Sequence, residues 1–398
     1  MRLGRVVAFA IVIVAASMIA LLHTPAERVA PDEANDKRLH DASVQVAYPP
    51  ALLAAEPPTA AAPADVMVPN AIELCGYGKV NPDDLPSSLE GVASPVLLGA
   101  VDKFVSARDQ RKQALGLATR ASVEAEAADR GVVASDPKKC AETALCEEQA
   151  ADAFTRGATP SIEALAALAS GTQDPAIYVM AMRACRSILP GAPPSGCGVL
   201  SVDQWTRIDP DNAMPWLLSA REAKKRWDDA SFQDALLHAS RAKFFDRRLT
   251  PYGDILAGID EHAEPLRTLI VARLADADAR EDPADYQSNF TVAIQYCQAR
   301  SDPAGRAMCN DIGHVLLELS SDALAGNIGE MFTADWPAER VAAVRKRNAG
   351  LSMVRPGTIQ PRPLGCDDAA KAEQRLIGVA KYGELGYAQQ RASATPPR

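Results

Sequence analysis

CGVLSVDQWTRIDPDNAMPWLLSAREAKKRWDDASFQDALLHASRAKFF, residues Cys197 to Phe245, reads as two amphipathic helices joined by a short turn. In the first, Ala213, Trp216, Leu217, Ala220, Ala223 and Trp227 recur at the three-and-four spacing that gathers side chains on one helical face. Arg221, Glu222, Lys224 and Lys225 are mostly turned away. In the second, Phe232, Ala235, Leu236, Ala239 and Ala242 repeat the pattern, and Ser231 followed by Asp234 reads as a capping box at its start. Trp205, Trp216 and Trp227 recur every eleven residues, which suits the seam between packed helices; a ligand platform is the other reading.

Composition extends the helical reading to the rest of the chain. Of the 398 residues 47% are hydrophobic but only 5% aromatic, so the apolar mass is largely alanine and leucine, which favours closely packed helices over a sandwich or barrel. Asp-Pro occurs at Asp136, Asp174, Asp209, Asp282 and Asp302. Aspartate accepts from the free amides of a first helical turn, and proline at the first helical position gives up a donor that had no partner, so several of these mark helix starts. Helices are expected near 95–107, 110–129, 137–156, 161–170, 175–188, 265–277, 284–300, 304–324, 337–348 and 368–390, with Leu351 to Gly365 a loop or strap. The expected fold is all-α, an irregular array of antiparallel helical hairpins.

Residues 212–245 resemble a tetratricopeptide-type hairpin. That family carries an aromatic on its first helix and small residues on its second, positions that Trp216 and Ala235, Ala239 and Ala242 can take. Ser219 and Ala220 depart from the family's large apolar residue and glycine, the inter-helix turn is long, and no closing proline follows Ala242. The resemblance implies a solenoid whose concave surface binds a protein or peptide.

At the N-terminus, Arg2 and Arg5 precede an uncharged apolar run from Val6 to Leu22, long enough as a helix nearly to cross a hydrocarbon core. The basic flank is expected to stay in the cytoplasm and the rest to be exported. The run exceeds a usual signal-peptide core and its nearest cleavage candidate, Thr24-Pro25-Ala26, contains a proline, so an uncleaved anchor is favoured over a removed leader. From Thr24 to Asn70 eight prolines and an alanine run read as a disordered tether. The expected organisation is residues 1–23 as signal anchor or signal peptide, 24–70 as Ala/Pro-rich tether, and 71–398 as a helical domain with a sub-boundary near 190–200. That places the protein in a bacterial inner membrane with a periplasmic body, or free in the periplasm if the leader is cleaved.

All eight cysteines lie beyond the tether, as disulfides of an oxidising compartment would require. Cys185 with Cys197, and Cys297 with Cys309, share a spacing of twelve and are the preferred bridges. Cys140 and Cys146 could pair only if the helix around them is broken, because six helical residues advance about 9 Å, beyond the reach of a disulfide. Cys75 and Cys366 could close the body end to end, although exchange among these last four is equally allowed.

The net charge of −9 argues against a nucleic-acid partner, which would need clustered cations. Lys224, Lys225 and Arg226, with Arg241, Lys243, Arg247 and Arg248, make the hairpin locally basic; this is a solvated face or, at Lys224, Lys225, Arg241, Arg247 and Arg248, a contact for an acidic partner. Asp311, His314 and Glu318 share a helical face, better read as a solvated or interhelical polar face than as a site that orients an imidazole or holds a metal. Ser135 to Lys138 and Ser240 to Lys243 match Ser-x-x-Lys without the accompanying elements of penicillin-binding sites. Gly76-Tyr77-Gly78 is expected to lack both the third glycine and the preceding strand of a dinucleotide loop, and Arg280 and Glu281 interrupt a calcium loop opened by Asp276 and Asp278. No catalytic residue, cofactor or metal is expected. The sequence points to a non-enzymatic, anchored envelope protein that binds a protein or peptide; a cell-wall or peptide hydrolase using His314 or His262 with carboxylates, or a structural spacer, are the alternatives.

Overall fold

A computed structural model describes residues 71–81, 85, 87–135, 144–187, 194–259, 264–280, 284–320, 322–333, 336–348 and 364–394. The leader, the tether, Cys140, His262, the caps Asp136 and Asp282, and residues 351–363 of the expected loop lie outside them. The described body is mostly helical. A small antiparallel hairpin, β1 (Ile72–Leu74) and β2 (Gly78–Val80), leads into α1 (Ser87–Val105), α2 (Gln110–Ser135), α3 (Ala144–Ser170) and α4 (Pro175–Ser187). A short 3₁₀ turn (Ser195–Val199) precedes α5 (Val202–Ile208), α6 (Ala213–Lys225), α7 (Asp229–Ser240) and α8 (Tyr252–Ala257). Then come α9 (Glu264–Arg280), α10 (Ala284–Ala299), α11 (Pro303–Glu318), α12 (Ala323–Gly329), α13 (Ala338–Asn348) and α14 (Cys366–Ala394). No described helix is long and apolar enough to cross a membrane.

The central hairpin folds as its spacing dictates. Ala213, Leu217, Ala220 and Ala223 of α6 are buried against Phe232, Ala235, Leu236 and Ala239 of α7. Three local expectations are corrected. Asp228, not Ser231, caps α7, accepting from the Ser231 amide at 3.1 Å, so the helix starts earlier than the capping-box reading had it. Asp209-Pro210 ends α5 instead of opening α6, whose cap is Asn212. Trp227 does not pack in the seam: it terminates α6 in the left-handed region (φ 60°) and is 86% exposed, whereas Trp205 is buried and Trp216 stacks on His238 at 4.1 Å. The physical reason is the helix end itself, where the amides of Trp227 and Asp228 turn back onto the carbonyls of Lys224 and Ala223 and swing the indole outward.

Elsewhere α3 runs unbroken through Pro160, where two helices are expected, and the helix expected over 304–324 is interrupted between α11 and α12. The caps at Asp174 and Asp302 form, accepting from Ala176 and Gly305 amides at 2.9 and 2.7 Å. Cys185 and Cys197, and Cys297 and Cys309, are disulfide-bonded with Cα atoms 5.7 Å apart; Cys75 and Cys366 are bonded at 4.6 Å across 291 residues. Cys146, in the first turn of α3, is also disulfide-bonded.

A one-dimensional array, in which each hairpin touches only its neighbours, is not the arrangement found. One buried core runs from Leu74 to Leu376, α9 packs on α1, α10 on α6, α11 on α7, and α14 returns to pack on α8 and α9. Ion pairs of Arg267 with Glu373 and of Arg375 with the buried Asp278 tie α9 to α14, which removes Asp278 from any calcium-loop reading.

Candidate functional site

The segment between α7 and α8, KFFDRRLTP (243–251), has no helical period and runs as an irregular strap through the body. It pairs on two sides through single bridges, Phe244 with Asn212 and Phe245 with Ser320. Phe245 is fully buried against Phe290, which anchors the strap in the core. The amide of Phe245 donates to the Leu319 carbonyl at 3.2 Å, and this contact falls at the interruption between α11 and α12.

Polar side chains fix the strap's path. Asn212, fully buried, donates from Nδ2 to the Asp246 carbonyl (2.8 Å) and accepts on Oδ1 from the Asp246 amide (3.1 Å), imitating a strand neighbour. The same Oδ1 accepts from Met214 N at 3.1 Å, so one residue caps α6 and holds the strap. Arg183 of α4 donates to the carbonyls of Arg247 and Arg248. Arg247 is buried and reaches Asp322, the cap of α12, and Glu384 of α14. Arg248, held at φ 56°, pairs with Asp209 (3.2 Å) and Asp246 (3.4 Å).

These ion pairs overturn part of the expected partner surface. Arg247 is enclosed because two buried carboxylates need a cation, so it is not presented to a partner; Arg248 pairs with Asp209 but stays partly exposed. Lys225 and Arg241 are exposed and Lys224 is partly so, pairing with Asp229 at 2.8 Å.

Beside the strap lies a pocket of about 410 Å³, within the range of small-ligand sites. Leu115, Met180 and Val379 give it an apolar floor. Gly383 forms part of its wall where α14 kinks (φ 70°, ψ 172°), a conformation open essentially to glycine, which turns the following Glu384 toward Arg247. Lys112 and Asp254 stand at the rim. Asp254 is exposed, yet the protein bulk around it raises its carboxyl above the usual range, against the pull of the Lys112 charge. Burial also acts to raise Asp174, but hydrogen bonds from Arg111 and from the Ala176 amide outweigh it and leave that carboxyl below its ordinary value. Among the described residues Leu249's backbone N–H and C=O have no protein partner.

Of the Asp311, His314, Glu318 face, His314 and Glu318 make an interhelical contact while Asp311 is exposed. His314 Nδ1 lies 3.1 Å from Glu318, whose other oxygen accepts from Arg340 of α13 at 2.8 Å, and Arg340 covers the Trp336 ring at 3.7 Å. No group of three or more His, Cys, Asp or Glu among the described residues could hold a metal. Ser240 Oγ is turned to its own helix, bonding Leu237 O, and Lys243 pairs with Asp211. Gly76 and Tyr77 lie in the β1–β2 turn and Gly78 opens β2, so a strand, β1, does precede them, but it is one arm of a small antiparallel hairpin and no described helix follows directly.

Sequence reasoning passed over Lys112, Leu249, Asp254, Asp322, Gly383 and Glu384. The available signal was the run FFDRRLTP itself, adjacent charges between apolar residues with no helical face to expose them. No family model, curated protein or solved structure matches the chain.

Proposed function

We propose that this chain is a non-enzymatic binding protein of the bacterial cell envelope, anchored or secreted through its apolar leader, that holds a protein or peptide segment at the pocket beside the 243–251 strap. The carrying observation is the pocket's division of labour: Arg247 and Arg248 are consumed by ion pairs that hold the walls, while an apolar floor, the Leu249 backbone and the rim groups Lys112 and Asp254 stay available. Such a surface is suited to holding a chain rather than to bond cleavage. The disulfides support an oxidising compartment. The α6–α7 hairpin, with small Ala235 and Ala239 at its buried face, supports a tetratricopeptide-like unit set within a larger helical body.

A photoreactive residue at Leu249, irradiated in the intact envelope, is expected to give a discrete covalent adduct that the same residue at exposed Lys346 does not give. Adducts no more frequent at 249 than at 346 would leave the spacer reading in its place. Capture of a partner that is cleaved in a His314-dependent way would favour the hydrolase.

A further inference from the structure

Resting on that binding reading, the geometry points to an extended apolar peptide with a free amino terminus as the pocket's occupant, its backbone paired with Leu249 and its terminal ammonium received by Asp254. Three observations converge. Leu249 lies outside any helix or strand just after the left-handed Arg248, and its unused N–H and C=O are what a chain laid alongside would bond. Asp254 follows on the same chain in the first turn of α8, and its carboxylate makes no hydrogen bond with any described residue. Nearby Lys112 interacts with it only through space, so an ammonium arriving at the rim would find an anion still able to accept. The floor of Leu115, Met180 and Val379 would cover apolar side chains on one face of the bound strand.

The remaining carboxylates of the pocket are buried or held in ion pairs, although Glu384 meets Arg247 through Oε2 and its buried Oε1 accepts no hydrogen bond from any described residue. Asp322 and Glu384 are buried and engaged by Arg247, and Asp246 by Arg248. Asp254 is therefore the rim anion that an incoming cation meets.

Calorimetric titration of the full chain with leucyl-alanyl-leucinamide and with its N-acetylated form tests this. The free amine is expected to bind saturably and about tenfold or more tightly than the acetylated form. Asp254→Asn is expected to abolish that preference while leaving the acetylated peptide's affinity and the circular dichroism spectrum unchanged. Lys112→Gln, which removes the cation beside Asp254, is expected to tighten the free amine. Equal affinities for the two peptides, or a preference that survives Asp254→Asn, would overturn the assignment. If neither peptide binds while crosslinking at Leu249 still captures a partner, the ammonium contact is wrong and the binding reading stands; if both experiments are blank, both fall.

Discussion

Arg247 donates from Nη2 to Glu384 Oε2 at 2.9 Å, joining the strap to the last helix across 137 residues of chain with both side chains buried. Burying two carboxylates against one guanidinium is costly unless every charge is paired, so deletion of the cation is worse than replacement of the set. Arg247→Met is expected to destabilise the fold by about 3 to 5 kcal/mol in urea unfolding, and Arg247→Met with Glu384→Met to recover part of that loss. A loss below about 1 kcal/mol for the single variant would show that the pair does not hold the strap.

Asn212 both caps α6 and pairs with Asp246, so Asn212→Ala removes a cap and leaves buried backbone groups unmatched. The expected loss is about 3 kcal/mol, against about 1 for an ordinary cap deletion. Asp228→Ala, which affects only the α7 cap, is the internal reference.

Trp227 occupies the left-handed region, unfavourable for a bulky side chain by about 1 to 2 kcal/mol, and its indole is 86% exposed. Trp227→Gly is therefore expected to raise the unfolding midpoint, since glycine takes that conformation freely and little packing is lost. A lowered midpoint would mean the indole packs in solution.

At Gly383 the backbone, not the space, is limiting: an added Cβ would meet nothing within 4 Å, but φ 70° with ψ 172° excludes other residues. Gly383→Ala is expected to destabilise by about 1 to 3 kcal/mol and to weaken any pocket ligand. The test is a paired thermal melt and titration.

Asp174 and Asp254 predict opposite responses to acid. The folded carboxyl of Asp174 is depressed, so its contribution is present above its unfolded pKa, near 4, and is lost as pH falls through the lower folded value. Asp254 is raised, so ionising it as pH climbs past the unfolded value works against folding. Asp174→Asn should flatten the acid limb of a stability-against-pH curve, whereas Asp254→Asn should leave stability at neutral pH unchanged or higher.

Much of the helical architecture was legible because alanine and leucine at helical spacing fix which faces are buried; α4, α6, α7 and α10 follow that spacing closely. The strap was not. Its charges satisfy one another with Asp322, Glu384 and Asp209, partners 75, 137 and 39 residues distant, and no local period records such pairing. For the same reason Arg247 and Arg248 read as surface cations beside Lys224 and Lys225, although only the tertiary fold decides which of them are enclosed. The closure of the body was missed too, since the small-residue contact that lets α8 approach α14, where a Cβ on Gly253 would overlap the backbone of Leu376 and Ile377, looks in sequence like any turn glycine.

Whether this stapled body works outside the cytoplasm is read most directly by alkylating intact cells with a permeant thiol reagent before lysis and weighing the purified chain. Export and bridging predict no modified cysteine without reductant and eight after reduction. Eight modified cysteines in the unreduced sample would contradict the bridges, the compartment and the envelope partner together.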